Sequence, residues 1–150
     1  ESAESDLKYT KMKVDAGADF LITQLFFDNQ TFFDFRDRAE GVGIDVPILP
    51  GLMPVSNVKQ VHRFTKMCGA SIPKVLGDRL AALPDDPVEV FWTGVQYAAH
   101  QARGLLEPSG SSWGPSKGPA AAAGVHFYTL NKSPATRAIF EILRLARSAI

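Results

Sequence analysis

Gln24 is the residue whose setting is hardest to explain by packing alone, an amide inside the apolar run Phe20, Leu21, Ile22, Thr23, Gln24, Leu25, Phe26, Phe27. A buried amide without partners costs on the order of 1–3 kcal/mol, so it must bond neighbouring backbone or serve a ligand. On spacing alone the two explanations stand level. The functional one places the amide at the carboxyl end of a strand, where α/β barrels build their active sites. Pro50 and Gly51, just before Leu52, Met53 and Pro54, let backbone approach a ligand closely, but Pro-Gly is equally a common turn. Gln60 and Phe64 lie four residues apart, on a helical face offset from Val58, Val61 and Thr65. Ordinary boundary residues have the same spacing. Asp6 and Lys13 fall on one face of a helix, the usual pattern of a solvated surface.

Several chemistries are excluded. His62, His100 and His126 have no metal-ligand spacing, and Cys68 is the only cysteine, so there is no intrachain disulfide and no second thiolate to join them. There is no Gly-x-Gly-x-x-Gly, no P-loop and no Gly-x-Ser-x-Gly elbow. Asp85 and Asp86 read as a turn and a helix cap, not a catalytic carboxylate pair. The 16 basic and 16 acidic residues cancel, and no Lys/Arg run offers a footprint for nucleic acid or anionic lipid. No apolar stretch approaches the roughly 20 residues of a membrane helix. At 150 residues and 45% hydrophobic, the composition is that of a globular chain. Its first residues carry neither an initiator Met nor a signal peptide, and read as the interior of a longer protein.

The elements that must hold these residues alternate between short apolar runs and amphipathic stretches, the pattern of βα units on a parallel sheet. A helix over 7–16 stops at Gly17, and a strand over 20–27 follows, apolar enough to be covered on both faces. Asp28 or Asn29 caps the next helix, which ends near Gly41 and Gly43. A strand over 47–55 contains prolines that make its pairing short or interrupted. Ser56 is placed to cap a helix with Val58, Val61, Thr65 and Cys68 along one face, so Cys68 reads as core. Asp86, Pro87 and Glu89 resemble a capping box opening a long helix with Val88, Phe91, Val95, Ala98, Ala102 and Leu105 as its buried stripe. Residues 107–124 have the composition of a flexible insertion, with Trp113 oddly placed in it. A third strand over 125–130 precedes a helix capped by Ser133, with Pro134 at N1 and a stripe of Ala138, Ile142 and Leu145. Three strands are few for a closed parallel sheet, so the chain reads as part of a fold.

Four ordered motifs carry a resemblance over nearly the whole chain. They are Val14-Asp15-Ala16-Gly17-Ala18-Asp19, Ile22-Thr23-Gln24-Leu25-Phe26-Phe27-Asp28, Pro50-Gly51-Leu52-Met53-Pro54-Val55 and His126-Phe127-Tyr128-Thr129-Leu130-Asn131-Lys132. Together they resemble methylenetetrahydrofolate reductase. The resemblance implies an α/β fold, a (βα)8 TIM barrel of which 1–150 is the C-terminal part, supplying the last three strands and their helices. It implies FAD-dependent reduction of 5,10-methylenetetrahydrofolate to 5-methyltetrahydrofolate, with NAD(P)H as co-substrate. Gln24, Gln60, Phe64 and Lys132 match substrate-binding positions, Gln24 also meeting the nicotinamide, and Asp6 and Lys13 match FAD-contacting ones. Lys132 stands where many members have Arg, keeping the charge but losing the bidentate fork. Tyr9 and Met12 depart from the family pattern and inherit no role. The catalytic glutamate of the family lies on its first strand, so no catalytic residue is expected in this chain. A cytoplasmic homo-oligomer is implied for the full-length protein, with neither nucleic acid nor membrane as partner. The competing expectation is a truncated, non-catalytic fragment that associates with a partner half or is inactive, since exposed sheet edges invite association.

Overall fold

The computed structural model describes residues 3–83, 86–107 and 122–148. In chain order the elements are α1 (Ala3–Asp15), β1 (Leu21–Leu25), α2 (Asn29–Gly41), β2 (Ile48–Leu52), α3 (Val58–Cys68), α4 (Lys74–Ala82), α5 (Pro87–Leu106), β3 (His126–Phe127) and α6 (Pro134–Ser148). The strands form one parallel sheet in the order β1-β2-β3. Their carboxyl ends therefore share one edge, and the segments that follow them gather there.

Local chemistry sets the boundaries. α1 ends with Gly17 at φ +104°, whose N–H donates to Val14 O at 2.9 Å while Ala18 N donates to Lys13 O at 3.2 Å. This is the glycine-closed end expected at that position. The Asp28 carboxylate accepts from Gln30 N at 3.0 Å and caps α2; Asp86 accepts from Val88 N at 2.8 Å and caps α5, with Pro87 next. Pro50 offers no N–H to the ladder, and the register between β1 and β2 slips between Ile22 and Leu25, as the prolines led us to expect. The Thr23 hydroxyl accepts from Gly51 N at 2.9 Å, supplying a side-chain bond across the irregularity.

The sheet is covered by helices on one face. Leu21, Ile48, Leu52 and Phe127 pack with Phe32 and Phe33 of α2 and with Ala102 and Leu105 of α5. On the alternate positions of β1, Ile22 is 42% exposed and Gln24 is also exposed, as is Phe20 just before the strand. The expectation of a strand covered on both faces is thereby corrected, and Gln24 is not a buried amide. The physical reason is that α2 and α5 pack on the opposite face of the sheet, and among the described residues no element covers this one. A second cluster sits at the carboxyl edge, where Leu25, Phe27, Met53 and Val55 meet Val61 of α3 and Leu76 and Leu80 of α4. A third joins Val95, Ala98 and Ala99 of α5 to Ala135 and Ile139 of α6.

Other expectations are corrected in detail. The third strand contracts from 125–130 to His126–Phe127, because Leu130 and Asn131 turn the chain through φ +50° and +61°. α4 was not foreseen: its N-cap, Pro73, makes no side-chain capping bond, so the sequence holds no start signal. Val88 is exposed, lying in the first turn of α5. Cys68 packs against the second cluster as its stripe implies, but it is only half-buried and also lines a cavity. In α6 the buried line runs through Ala135 and Ile139, with Ala138 half-buried and Ile142 exposed; the Leu145 side chain lies outside the described residues. Of the 107–124 insertion, 108–121 lie outside the described residues, and its far end is tied down by Ala122 N donating to Leu105 O at 2.8 Å.

Gly94 of α5 rests directly on the chain after β2, so close that an added Cβ would overlap the Val55 carbonyl oxygen. Backbone on both sides cannot yield as a flexible side chain would, and overpacking of this kind costs about 1–3 kcal/mol or more. Gly94→Ala should therefore lower the urea unfolding free energy by about 3 kcal/mol. Gly77→Ala in α4, where the nearest atom is the Ile72 Cγ2 at 4.0 Å, should raise it by about 0.5–1 kcal/mol through helix propensity. Equal effects of the two substitutions would contradict this account of α5 docking.

Candidate functional site

The larger of two cavities measures about 740 Å³ and runs along β1 between α1, α2 and the turn after α3. Asp6, Tyr9 and Lys13 enter it from α1, Gln24 from β1, Asp28 from the α2 cap and Ser71 from that turn. The α1 helix that ends at Gly17 leads straight into β1, which is why its face lies beside the strand. Thus Asp6, Lys13 and Gln24, singled out for different reasons, line one cavity. The Gln24 Oε1 accepts from Leu25 N at 3.0 Å, the bond to neighbouring backbone that the sequence allowed for, and the side chain lines the cavity.

The smaller cavity, about 330 Å³, is lined by Met53, Ser56 and Asn57 after β2 and by Tyr128, Thr129 and Lys132 after β3. Lys132 is therefore set apart from Asp6, Lys13 and Gln24. Phe64 lines neither cavity; it is half-buried against the cluster of Leu25, Met53 and Val61. Gln60 lies in α3 on the turn before Phe64, and its side chain falls outside the described residues.

Sequence reasoning missed the seam between the cavities. The Tyr128 hydroxyl donates to Thr23 O at 2.9 Å, crossing β2 above Gly51. A Cβ on Gly51 would stand 2.5 Å from Thr23 O and 2.6 Å from the Tyr128 ring, so only glycine admits this crossing. His126 meets the same ring edge-on, with centroids 4.8 Å apart. It also missed Tyr97 and Gln101 of α5, whose side chains reach the backbone just beyond β1: Tyr97 Oη donates to Phe27 O at 2.6 Å and Gln101 Nε2 to Phe26 O at 3.1 Å. The available signal was a buried-stripe helix with two polar residues four apart among alanines.

A family model described as methylenetetrahydrofolate reductase matches residues 1–144. This chain belongs to the methylenetetrahydrofolate reductase family. It is 38% identical over 143 residues to the Escherichia coli (strain K12) protein named 5,10-methylenetetrahydrofolate reductase, covering 95% of this chain and 44% of that one. It is 37% identical over 131 residues to "Methylenetetrahydrofolate reductase (NADH) 1" of Arabidopsis thaliana, covering 87% of this chain and 20% of that one. A Caenorhabditis elegans relative, "Probable methylenetetrahydrofolate reductase (NADPH)", is 34% identical over 144 residues, covering 96% and 20%. The chain thus spans less than half the length of these methylenetetrahydrofolate reductases. Among the described residues, no helix is long and apolar enough to cross a membrane.

Burial, and then the Asp28 carboxylate, push the Tyr97 hydroxyl up from its ordinary value, against a smaller opposing effect of Arg79. Burial raises Tyr128 as well, with Cys68 adding to it. A raised folded value means that the neutral hydroxyl is favoured by folding. The resulting stability is complete below the unfolded tyrosine value of about 10 and is lost as the pH rises through the folded value. Urea midpoints should therefore fall more steeply above about pH 10 in the unaltered protein than in Tyr97→Phe. Superimposable pH profiles would show that Tyr97 carries no such linkage.

Proposed function

We propose that this chain forms part of the wall of a flavin- and folate-binding (βα)8 barrel, reducing 5,10-methylenetetrahydrofolate to 5-methyltetrahydrofolate with NAD(P)H. Family membership supports the reaction class, and the meeting of Asp6, Lys13 and Gln24 in one cavity is the observation that carries the site. The uncovered face of the three-stranded parallel sheet supports the barrel, because a parallel sheet needs cover or closure on both sides. In this reading residues 1–150 are the C-terminal part of one barrel domain.

The cavity suits FAD by the chemistry of its lining: a cation and a carboxylate on α1 beside the apolar side chains of Leu21, Ile22 and Phe26. FAD, when bound, supplies the hydride chemistry that amino-acid side chains lack. Lys13 offers a point charge to a pyrophosphate, and Asp6 accepts from a sugar hydroxyl. Gln24 presents its Nε2 donors to the pterin or, in the other half-reaction, to the nicotinamide, while Leu25 N holds its oxygen. Gln60 and Phe64, four apart on α3, are read as substrate-side positions, Phe64 for the aminobenzoyl ring or the dinucleotide once the rest of the barrel is in place. Lys132, in the separate cavity, serves an anionic part of folate remote from the reacting ring. The protein is read as a cytoplasmic homo-oligomer at full length.

The open sheet also favours a second reading at the level of the isolated chain. With β1 and β3 as free edges among the described strands, these residues alone form an incomplete, non-catalytic site that associates with a complementary half or is inactive.

In the complete flavin-loaded protein, Gln24→Ala should lower folate turnover by about tenfold or more, the worth of one or two lost hydrogen bonds, while flavin content stays unchanged. Stopped-flow measurement of the folate half-reaction, with the flavin absorbance as internal control, checks this. Loss of flavin with normal folate kinetics in the remaining holoenzyme would contradict the assignment of Gln24.

A further inference from the structure

We infer that Tyr97 and Gln101 are positioning residues for Gln24, acting through the backbone that follows β1. Pairing of β1 with β2 ends at Leu25, opposite Gly51, so the carbonyls of Phe26 and Phe27 lie beyond the ladder. Both would be left unsatisfied in an apolar cluster, since Phe26 and Phe27 are themselves buried. α5 satisfies them with two side chains four residues apart on one face: Gln101 Nε2 at 3.1 Å from Phe26 O, and Tyr97 Oη at 2.6 Å from Phe27 O. Asn29, at the start of α2, returns a bond from its Nδ2 to Gln101 O at 2.9 Å. Three hydrogen bonds thus fasten the segment from Phe26 to Asn29 onto α5. Gln24 stands two residues before that segment, and its own amide oxygen is held by the N–H of Leu25.

The consequence is a chain of fixed geometry from a helix on the outside of the sheet to the amide in the large cavity. Tyr97 and Gln101 line neither cavity, so they act on a ligand only through the backbone they hold. Gln101 is 6% exposed, which makes its side chain a buried polar group with one defined bond, not a solvated one. Its geometry is set by the direct approach of Gly94 to Val55, which brings α5 near enough for both side chains to reach.

The inference rests on the reading of Gln24 as a ligand contact, and a double-mutant cycle separates the two. In the complete flavin-loaded protein, Tyr97→Phe should lower folate kcat/KM by about tenfold with flavin content unchanged, while the thermal midpoint falls by the few degrees that an unsatisfied Phe27 carbonyl costs. On a Gln24→Ala background the same change should cost less than about twofold, because the group being positioned is gone. Gln101→Met, which keeps the volume, should behave likewise. A full tenfold loss on top of Gln24→Ala overturns the inference. So does a loss of flavin content parallel to the fall in activity, which marks a structural role. If Gln24→Ala leaves folate turnover intact, the reading of the site itself fails, and the positioning role falls with it.

Discussion

The contact on which the rest of this structure depends is the seating of α5 on the backbone after β2, at Gly94 and Val55. A side chain at that point would hold the helix away by more than a hydrogen bond can bridge. With none there, α5 buries Val95, Ala98, Ala102 and Leu105 against the sheet and α6, and its polar side chains reach the strand ends. Tyr97 and Gln101 then bond carbonyls that no strand can satisfy. One backbone contact thereby joins the packing of the fold to the geometry of the cavity that holds Gln24.

A second constraint is the parallel sheet itself. All three strands point the same way, so everything that follows a strand is delivered to one edge. The smaller cavity lies there, the larger one runs along β1 to the same end, and the crossing of Tyr128 over Gly51 to Thr23 O stands between them. The helices cover one face of this sheet, and Ile22 and Gln24 look out from the other. In the proposed barrel that face turns inward, which makes a polar Gln24 between apolar neighbours intelligible: it lines a site and needs no burial.

Much of this was legible in the residues, and what was not has identifiable causes. Gly17, Asp28 and the Asp86-Pro87 pair announced their helix ends because capping is a local hydrogen-bond problem solved by the residue itself. The interruption of β2 was visible for the same reason, since Pro50 lacks an N–H in any context. α4 was invisible because Pro73 offers no capping bond, and β3 was overextended because nothing in Leu130 or Asn131 advertises a left-handed backbone. The phase of α6 was ambiguous: Ile139, Phe140, Ile142 and Leu143 allow several apolar stripes, and only contact with α5 selects Ile139. At the site, Asp6 and Lys13 read as solvated surface until the resemblance gave them a role. Tyr97 and Gln101 had no local signal, because their partners are backbone atoms 70 and 75 residues away.

The central claim is that the flavin lies in the cavity shared by α1 and β1, and that Lys132 belongs to a different site. The affinity of the complete protein for FAD, titrated by flavin fluorescence in Lys13→Ala and Lys132→Ala, tests this most directly. The account predicts about a tenfold weaker affinity for Lys13→Ala, the loss of one charge-assisted contact, and no change for Lys132→Ala. An affinity that follows Lys132 and ignores Lys13 would contradict it.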